Sequence, residues 1–160
     1  MSDFNFTLTK TVIDDLHTFF IFQLDPKANH MAAFTAKDPN DKSAYIEKYS
    51  KFVNDPTINM KTIKIGDEII GSIAKFVMAN EAGITYWIDR KYWGKGIGTQ
   101  VLRTFLKTEP ARPLFAYVAF DNFGSQKVLE NCGFVKIGQD SGFANARNEV
   151  IDEYIYKLTD

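Results

Sequence analysis

The stretch YWGKGIGTQ, Tyr92 to Gln100, constrains this chain more than any other. It sets three glycines at alternate positions between a run that reads as a strand, ITYWI, and one that reads as an amphipathic helix, IGTQVLRTFLK. Glycine has no Cβ, so it tolerates a positive φ and lets another group approach the backbone closely. At the start of a helix the leading N–H groups lack partners and the dipole presents partial positive charge, which together suit a phosphate. Glycines there cost helix propensity, so packing alone is a weak reason for three of them. The first expectation is a phosphate-bearing ligand.

The rest of the chain bounds the fold around that loop. Its 160 residues correspond to one domain, residues 1–160, with enough chain for a sizeable core. A formal charge of −1 argues against broad electrostatic binding to nucleic acid or to a membrane surface. One cysteine, Cys132, excludes an internal disulfide framework and a multi-thiolate metal site, and no metal is expected. Without a signal-like N-terminus or a long apolar run, the expected compartment is the cytoplasm.

FNFTLTK alternates apolar and polar residues as a half-buried strand does. TVIDDLHTFFIFQL spaces Ile13, Leu16, Phe19, Phe20 and Leu24 for one apolar helix face, with Thr11 as the expected cap. A turn-rich segment with a short helical piece leads to a second helix, SAYIEKYSKFV, opened by Asp41 or Ser43. From Met60 the pattern turns to strands. MKTIKI and EIIGSIAKFVM flank Gly66-Asp67 as a hairpin, and a turn over Asn80 to Gly83 leads to ITYWI. After the glycine loop and its helix come the apolar strand LFAYVAF, a second strand-to-helix handover at DNFGSQKVLENCGF, and the strands FVKIGQ and VIDEYIYKL. The expected class is mixed α/β.

A P-loop needs Lys-Ser/Thr after its last glycine, and here Thr99-Gln100 follows Gly98, which disfavours nucleotide hydrolysis. A Rossmann fingerprint belongs in the first βαβ unit, whereas this loop follows an antiparallel hairpin; Asp121 is nonetheless placed to imitate the ribose-binding acid.

The stretch Trp93-Gly94-Lys95-Gly96-Ile97-Gly98 resembles the coenzyme loop of the GNAT superfamily of N-acetyltransferases, with Trp93 where a Gln or Arg is usual. An aromatic there is similar to the branch that acetylates ribosomal proteins. A second signature, N-x-x-S followed by a helix ending in E-x-x-G-F, is matched by Asn122, Ser125, Glu130, Gly133 and Phe134. The resemblance covers roughly Gly71 to Lys157. It implies a largely antiparallel central sheet flanked by helices, with a V-shaped splay between strands 4 and 5 that admits the pantetheine arm of acetyl-coenzyme A.

The backbone of Tyr86, Trp87 and Ile88 would then pair with pantetheine amides. The amides of Gly94, Lys95, Gly96, Ile97, Gly98 and Thr99 would cradle the pyrophosphate, and the Ile88 N–H would meet the developing oxyanion. The resemblance nominates Ser125 as hydroxyl donor or thiolate stabiliser; the local alternative is an early-helix residue with Asn122 as N-cap. Asn122 either contacts the coenzyme arm or only caps. The tyrosine that many family members place four residues before the Gly of G-F is Leu129 here, so a thiolate cannot be protonated from that position. Glu81, before the fourth strand, and Glu149, before the last, are the candidate bases acting through water, because Tyr117 on the fifth strand has too high an ordinary pKa.

The leading expectation is direct acetyl transfer from acetyl-coenzyme A to a primary amine, on a small molecule or a protein N-terminus, by a monomer or homodimer. A coenzyme-binding sensor without turnover is the alternative that Leu129 suggests. A nucleotide-dependent oxidoreductase is the third, and nicotinamide dinucleotide binding separates it from the others.

Overall fold

The computed structural model describes residues 4–160; residues 1–3 of the expected domain lie outside the described residues. Seven strands form one sheet in the order β1-β2-β3-β4-β5-β7-β6. The strands are β1 (Thr7–Lys10), β2 (Asn59–Ile65), β3 (Glu68–Met78), β4 (Glu81–Ile88), β5 (Leu114–Ala119), β6 (Val135–Ala144) and β7 (Glu149–Leu158). The helices are α1 (Asp15–Gln23), α2 (Pro26–Ala32), α3 (Lys42–Asn54), α4 (Ile97–Leu106) and α5 (Phe123–Asn131). All neighbouring strands run antiparallel except β4 and β5, which are parallel.

The parallel pair carries the important departure from a regular sheet. β4 and β5 are registered only at Ala82 with Leu114 and Gly83 with Phe115. Beyond Gly83, β4 stays with β3 as far as Ile88, and β5 stays with β7 as far as Ala119. The two strands therefore part into the expected V-shaped splay.

Side-chain alternation assigns the helices to the two faces. Leu114, Ala116 and Val118 of β5 are buried with Ile97, Val101, Leu102 and Phe105 of α4 and Leu129 of α5. Ala119 points the other way and packs against Ala33, just beyond α2, with Ala144 and Ile151. So α4 and α5 cover one face, and α2 covers the other at the open end of the splay. The apolar positions of α4 recur on one stripe, and burying each large side chain contributes roughly 1.5–3 kcal/mol.

Two local expectations are corrected. Thr11 does not cap α1: its hydroxyl bonds Thr62 at 2.9 Å, and Thr62 donates to the buried Asp15 carboxylate at 2.7 Å. The helix starts later, behind Asp14, because those buried groups satisfy one another across to β2. The turn before β4 is also tighter than expected. Met78 faces Glu81, and Ala79 and Asn80 both take positive φ, as a two-residue hairpin requires, so Glu81 to Gly83 already belong to the strand.

Candidate active site

The splay opens into a cavity of about 530 Å³. Tyr86, Trp87 and Ile88 of β4, residues from Tyr92 to Thr99 of the glycine loop, and Asn122, Gly124, Ser125, Lys127 and Val128 of α5 line it. Lys27, Ala28, Met31 and Ala32 of α2 complete the wall. It thus touches both faces of the sheet through the gap between two strands.

The orientation of the β4 backbone follows from one hydrogen bond. The Asp89 N–H donates to the Ile70 carbonyl at 2.8 Å. Antiparallel residues alternate between those that bond the neighbouring strand and those that face away from it. Trp87, registered with Ser72, accordingly directs its N–H and C=O at β3, while Tyr86 and Ile88 turn theirs into the splay. This corrects the expectation for Trp87: it lines the cavity, but its backbone is committed to β3. The edge is further reduced at Ile88, whose carbonyl accepts the Trp93 indole N–H at 2.8 Å. What faces the gap is an unpaired stretch of strand centred on Tyr86 and the Ile88 N–H.

The three glycines have separate reasons. Gly94 and Gly96 adopt φ of 73° and 79°, values that carry a cost for L side chains. Gly98 instead permits close approach of two helices, since a Cβ there would stand 3.1 Å from a Val128 methyl. With Gly96 as N-cap, α4 has no side-chain cap, in contrast to α5, where Asn122 accepts from the Ser125 N–H at 3.2 Å. The first-turn amides of α4 open on the cavity without a side chain competing for them. That is the environment an anionic pyrophosphate needs. Lys95 stands over the Tyr92 ring at 5.8 Å; it is not among the lining residues, unlike Gly94, Gly96, Ile97, Gly98 and Thr99.

Ser125 and Asn122 are brought to the cavity, and Glu81 is not. Glu81 begins β4 opposite Met78, seven residues from Ile88, or about 23 Å along an extended strand. It is corrected as a candidate base on that ground. Glu149 is exposed beside the β6–β7 turn, opposite Ala144. Among the described residues, the cavity lining contains no Asp, Glu or His. Cys132 is half-buried with its thiol 3.5 Å from the Thr99 carbonyl, and burial pushes its pKa up, away from nucleophile behaviour.

Sequence reasoning missed the Tyr86 side chain. Its hydroxyl lies 2.8 Å from the Ser125 hydroxyl and 3.3 Å from the Ser125 carbonyl, and burial raises its pKa well above that of an ordinary phenol. The strand alternation held a clue, since Ile84, Tyr86 and Ile88 share the face covered by α4 and α5. Nothing in the sequence aligned that face with Ser125. The short helical piece expected in the turn-rich segment is α2, and it lines the cavity. Asp25, its N-cap, is tied to Arg90 at 3.0 Å, just before the glycine loop.

An unpaired strand edge leads from the uncapped α4 amides to the half-buried hydroxyls of Tyr86 and Ser125, within the fold of an acyltransferase. The chain belongs to the GNAT acetyltransferase family, whose domain model matches residues 5–135. An uncharacterized N-acetyltransferase p20 of Bacillus licheniformis is 23% identical, with 95% of this chain and 91% of that protein covered. The fold is similar to spermidine N-acetyltransferase from Vibrio cholerae in complex with CoA and spermine, with a TM-score of 0.81 and 16% identity, covering 96% of this chain and 95% of that one. It is also similar to ribosomal-protein-S5-alanine acetyltransferase from Vibrio fischeri, with a TM-score of 0.76 and 17% identity, covering 99% and 95%.

Proposed function

We propose that this acyltransferase moves the acetyl group of acetyl-coenzyme A directly to a primary amine. The observation that carries the reading is the unpaired β4 edge at Tyr86 and Ile88, which runs from the glycine loop to the Ser125 hydroxyl. The pantetheine arm would add to that edge as a short extra strand, and the α4 amides would hold the pyrophosphate. Asn122 serves as the cap that fixes Ser125.

Transfer needs a neutral amine, because an ammonium has no lone pair for attack on the thioester carbonyl. With no carboxylate or imidazole among the lining residues described, that proton leaves through water. The Ile88 N–H, directed into the splay, is placed to meet the oxyanion that develops as nitrogen adds to carbon. As the carbon–sulfur bond breaks, its electron pair passes to sulfur, where the Ser125 hydroxyl stabilises the thiolate. The amine nitrogen loses one proton and the sulfur gains one. The reaction is assigned to the cytoplasm, and its acceptor is a small-molecule amine or a peptide N-terminus reaching the gap from the α2 side. No nucleic acid takes part, and a monomer carries every residue this mechanism uses.

Calorimetric titration with acetyl-coenzyme A, followed by thiol release against a panel of primary amines and N-terminal peptides, tests this reading. Binding with amine-dependent release supports it. Binding without release from any acceptor returns the chain to the sensor alternative, and failure to bind removes the glycine loop from the site.

A further inference from the structure

We infer that the Tyr86 side chain is a positioning residue for catalysis: its hydroxyl orients the Ser125 hydroxyl toward the sulfur of the departing thiolate. The inference rests on the acetyltransferase reading of the site. The two groups come from opposite walls of the cavity, Tyr86 from β4 and Ser125 from the first turn of α5, and meet at 2.8 Å. The Ser125 N–H is occupied by Asn122, which fixes the start of the helix and leaves the side chain to Tyr86.

The alternative source of a phenol is closed. Leu129, on the next turn of α5, is 1% exposed and packed in the core, so an aromatic hydroxyl can reach this part of the cavity from the strand but not from that helical position. Burial keeps Tyr86 protonated throughout the neutral range. A protonated phenol can donate to the Ser125 oxygen, and the serine proton is then free to point away from Tyr86 into the cavity. Two hydroxyls so arranged polarise one another, strengthening the donor that faces the sulfur. During transfer Tyr86 keeps its proton. Ser125 passes its own proton to the thiolate as it accepts the one shed by the amine nitrogen, so no charge is left on either hydroxyl.

A purely structural role would be that Tyr86 satisfies a buried polar group. Tyr86→Phe separates the two, because it preserves the ring, the packing and the backbone edge while removing only the hydroxyl. The expected result is a kcat lowered roughly tenfold or more, with acetyl-coenzyme A affinity within about twofold of the parent. Ser125→Ala should lose at least as much, and Tyr86→Phe with Ser125→Ala should be no worse than Ser125→Ala alone, because the phenol acts only through the serine. A Tyr86→Phe variant with parental kcat and a lowered melting temperature overturns the inference, as do losses that multiply in the double variant. The parent protein is measured alongside. If it binds acetyl-coenzyme A but acetylates no amine, the function reading and this inference fall together; if it turns over and Tyr86→Phe turns over equally, only this inference falls.

Discussion

Arg147 grips Asp121 with both terminal nitrogens, each 2.9 Å from a carboxylate oxygen. Its Nε also donates to the His30 carbonyl at 2.6 Å. One side chain thus joins the β6–β7 turn to α2 and to the residue preceding Asn122. The Arg147 side chain is 6% exposed and that of Asp121 31%, so solvent screens these bonds in part.

Arg147→Ala should therefore lower the stability of the fold by about 1–2 kcal/mol in urea denaturation, because it strips partners from two acceptors at once, one of them partly solvated. Arg147→Lys should recover only part of this, since a lysine cannot span both oxygens. The neighbouring guanidinium holds Asp121 below the usual carboxylate range, so its contribution is full above the ordinary Asp pKa and is lost as pH falls through the depressed one. Stability of the parent should fall more steeply on acidification than that of Arg147→Ala.

Gly96→Glu tests the glycine loop. A side chain at a φ of 79° costs about 1–2 kcal/mol, and a carboxylate beside the α4 amides repels an incoming pyrophosphate. The expected outcome is a folded protein with a modestly lowered melting temperature and no measurable heat of acetyl-coenzyme A binding. Parental affinity would separate the loop from the coenzyme.

Trp93→Phe removes the indole bond to the Ile88 carbonyl and leaves most of the ring. Loss of one such bond corresponds to about 1 kcal/mol, or roughly fivefold weaker coenzyme binding through a loosened loop. The same calorimetry checks it, and a tighter complex would mean that the freed carbonyl pairs better with the ligand than with Trp93.

Four phenols whose pKa values are raised chiefly by burial contribute to the alkaline limit. Burial raises Tyr45, Tyr49 and Tyr86, and Tyr156 is pushed up to about 12 by burial and its bond to Glu130. In the unfolded chain all four lose their protons near pH 10, so the folded state binds more protons above that value and stability falls as pH rises. The urea midpoint should be little affected by these phenols up to about pH 9 and drop steeply above about pH 10, together with a rise in tyrosinate absorbance. Tyr156→Phe, with Glu130→Gln to avoid stranding the carboxylate, should soften that drop.

Much of the architecture was legible before any coordinate. Alternation in MKTIKI and EIIGSIAKFVM located the hairpin, and the apolar stripe from Ile97 to Phe105 located α4, because both patterns report geometry repeated over a few residues. The conformation of the glycine loop was legible for a similar reason, since glycines are what its left-handed backbone at Gly94 and Gly96 demands. Glu81 shows the limit. A carboxylate just before a site-bearing strand is near the site in sequence, yet strand extension carries it to the far end of β4.

The sequence by itself determined the order of strands and helices, the loop at Gly94 to Gly98 and the capped start of α5, each of which depends on bonds and sterics within one turn or one strand. Only the tertiary structure decided that Tyr86 would meet Ser125, 39 residues away, that Trp93 would close off the Ile88 carbonyl, and that Arg147 would hold α2 against the β5–α5 turn. Local periodicity says which face of an element is apolar. Which polar atoms come within hydrogen-bond reach across a splayed sheet depends on how the packed faces set strand and helix relative to one another, and no single segment carries that information.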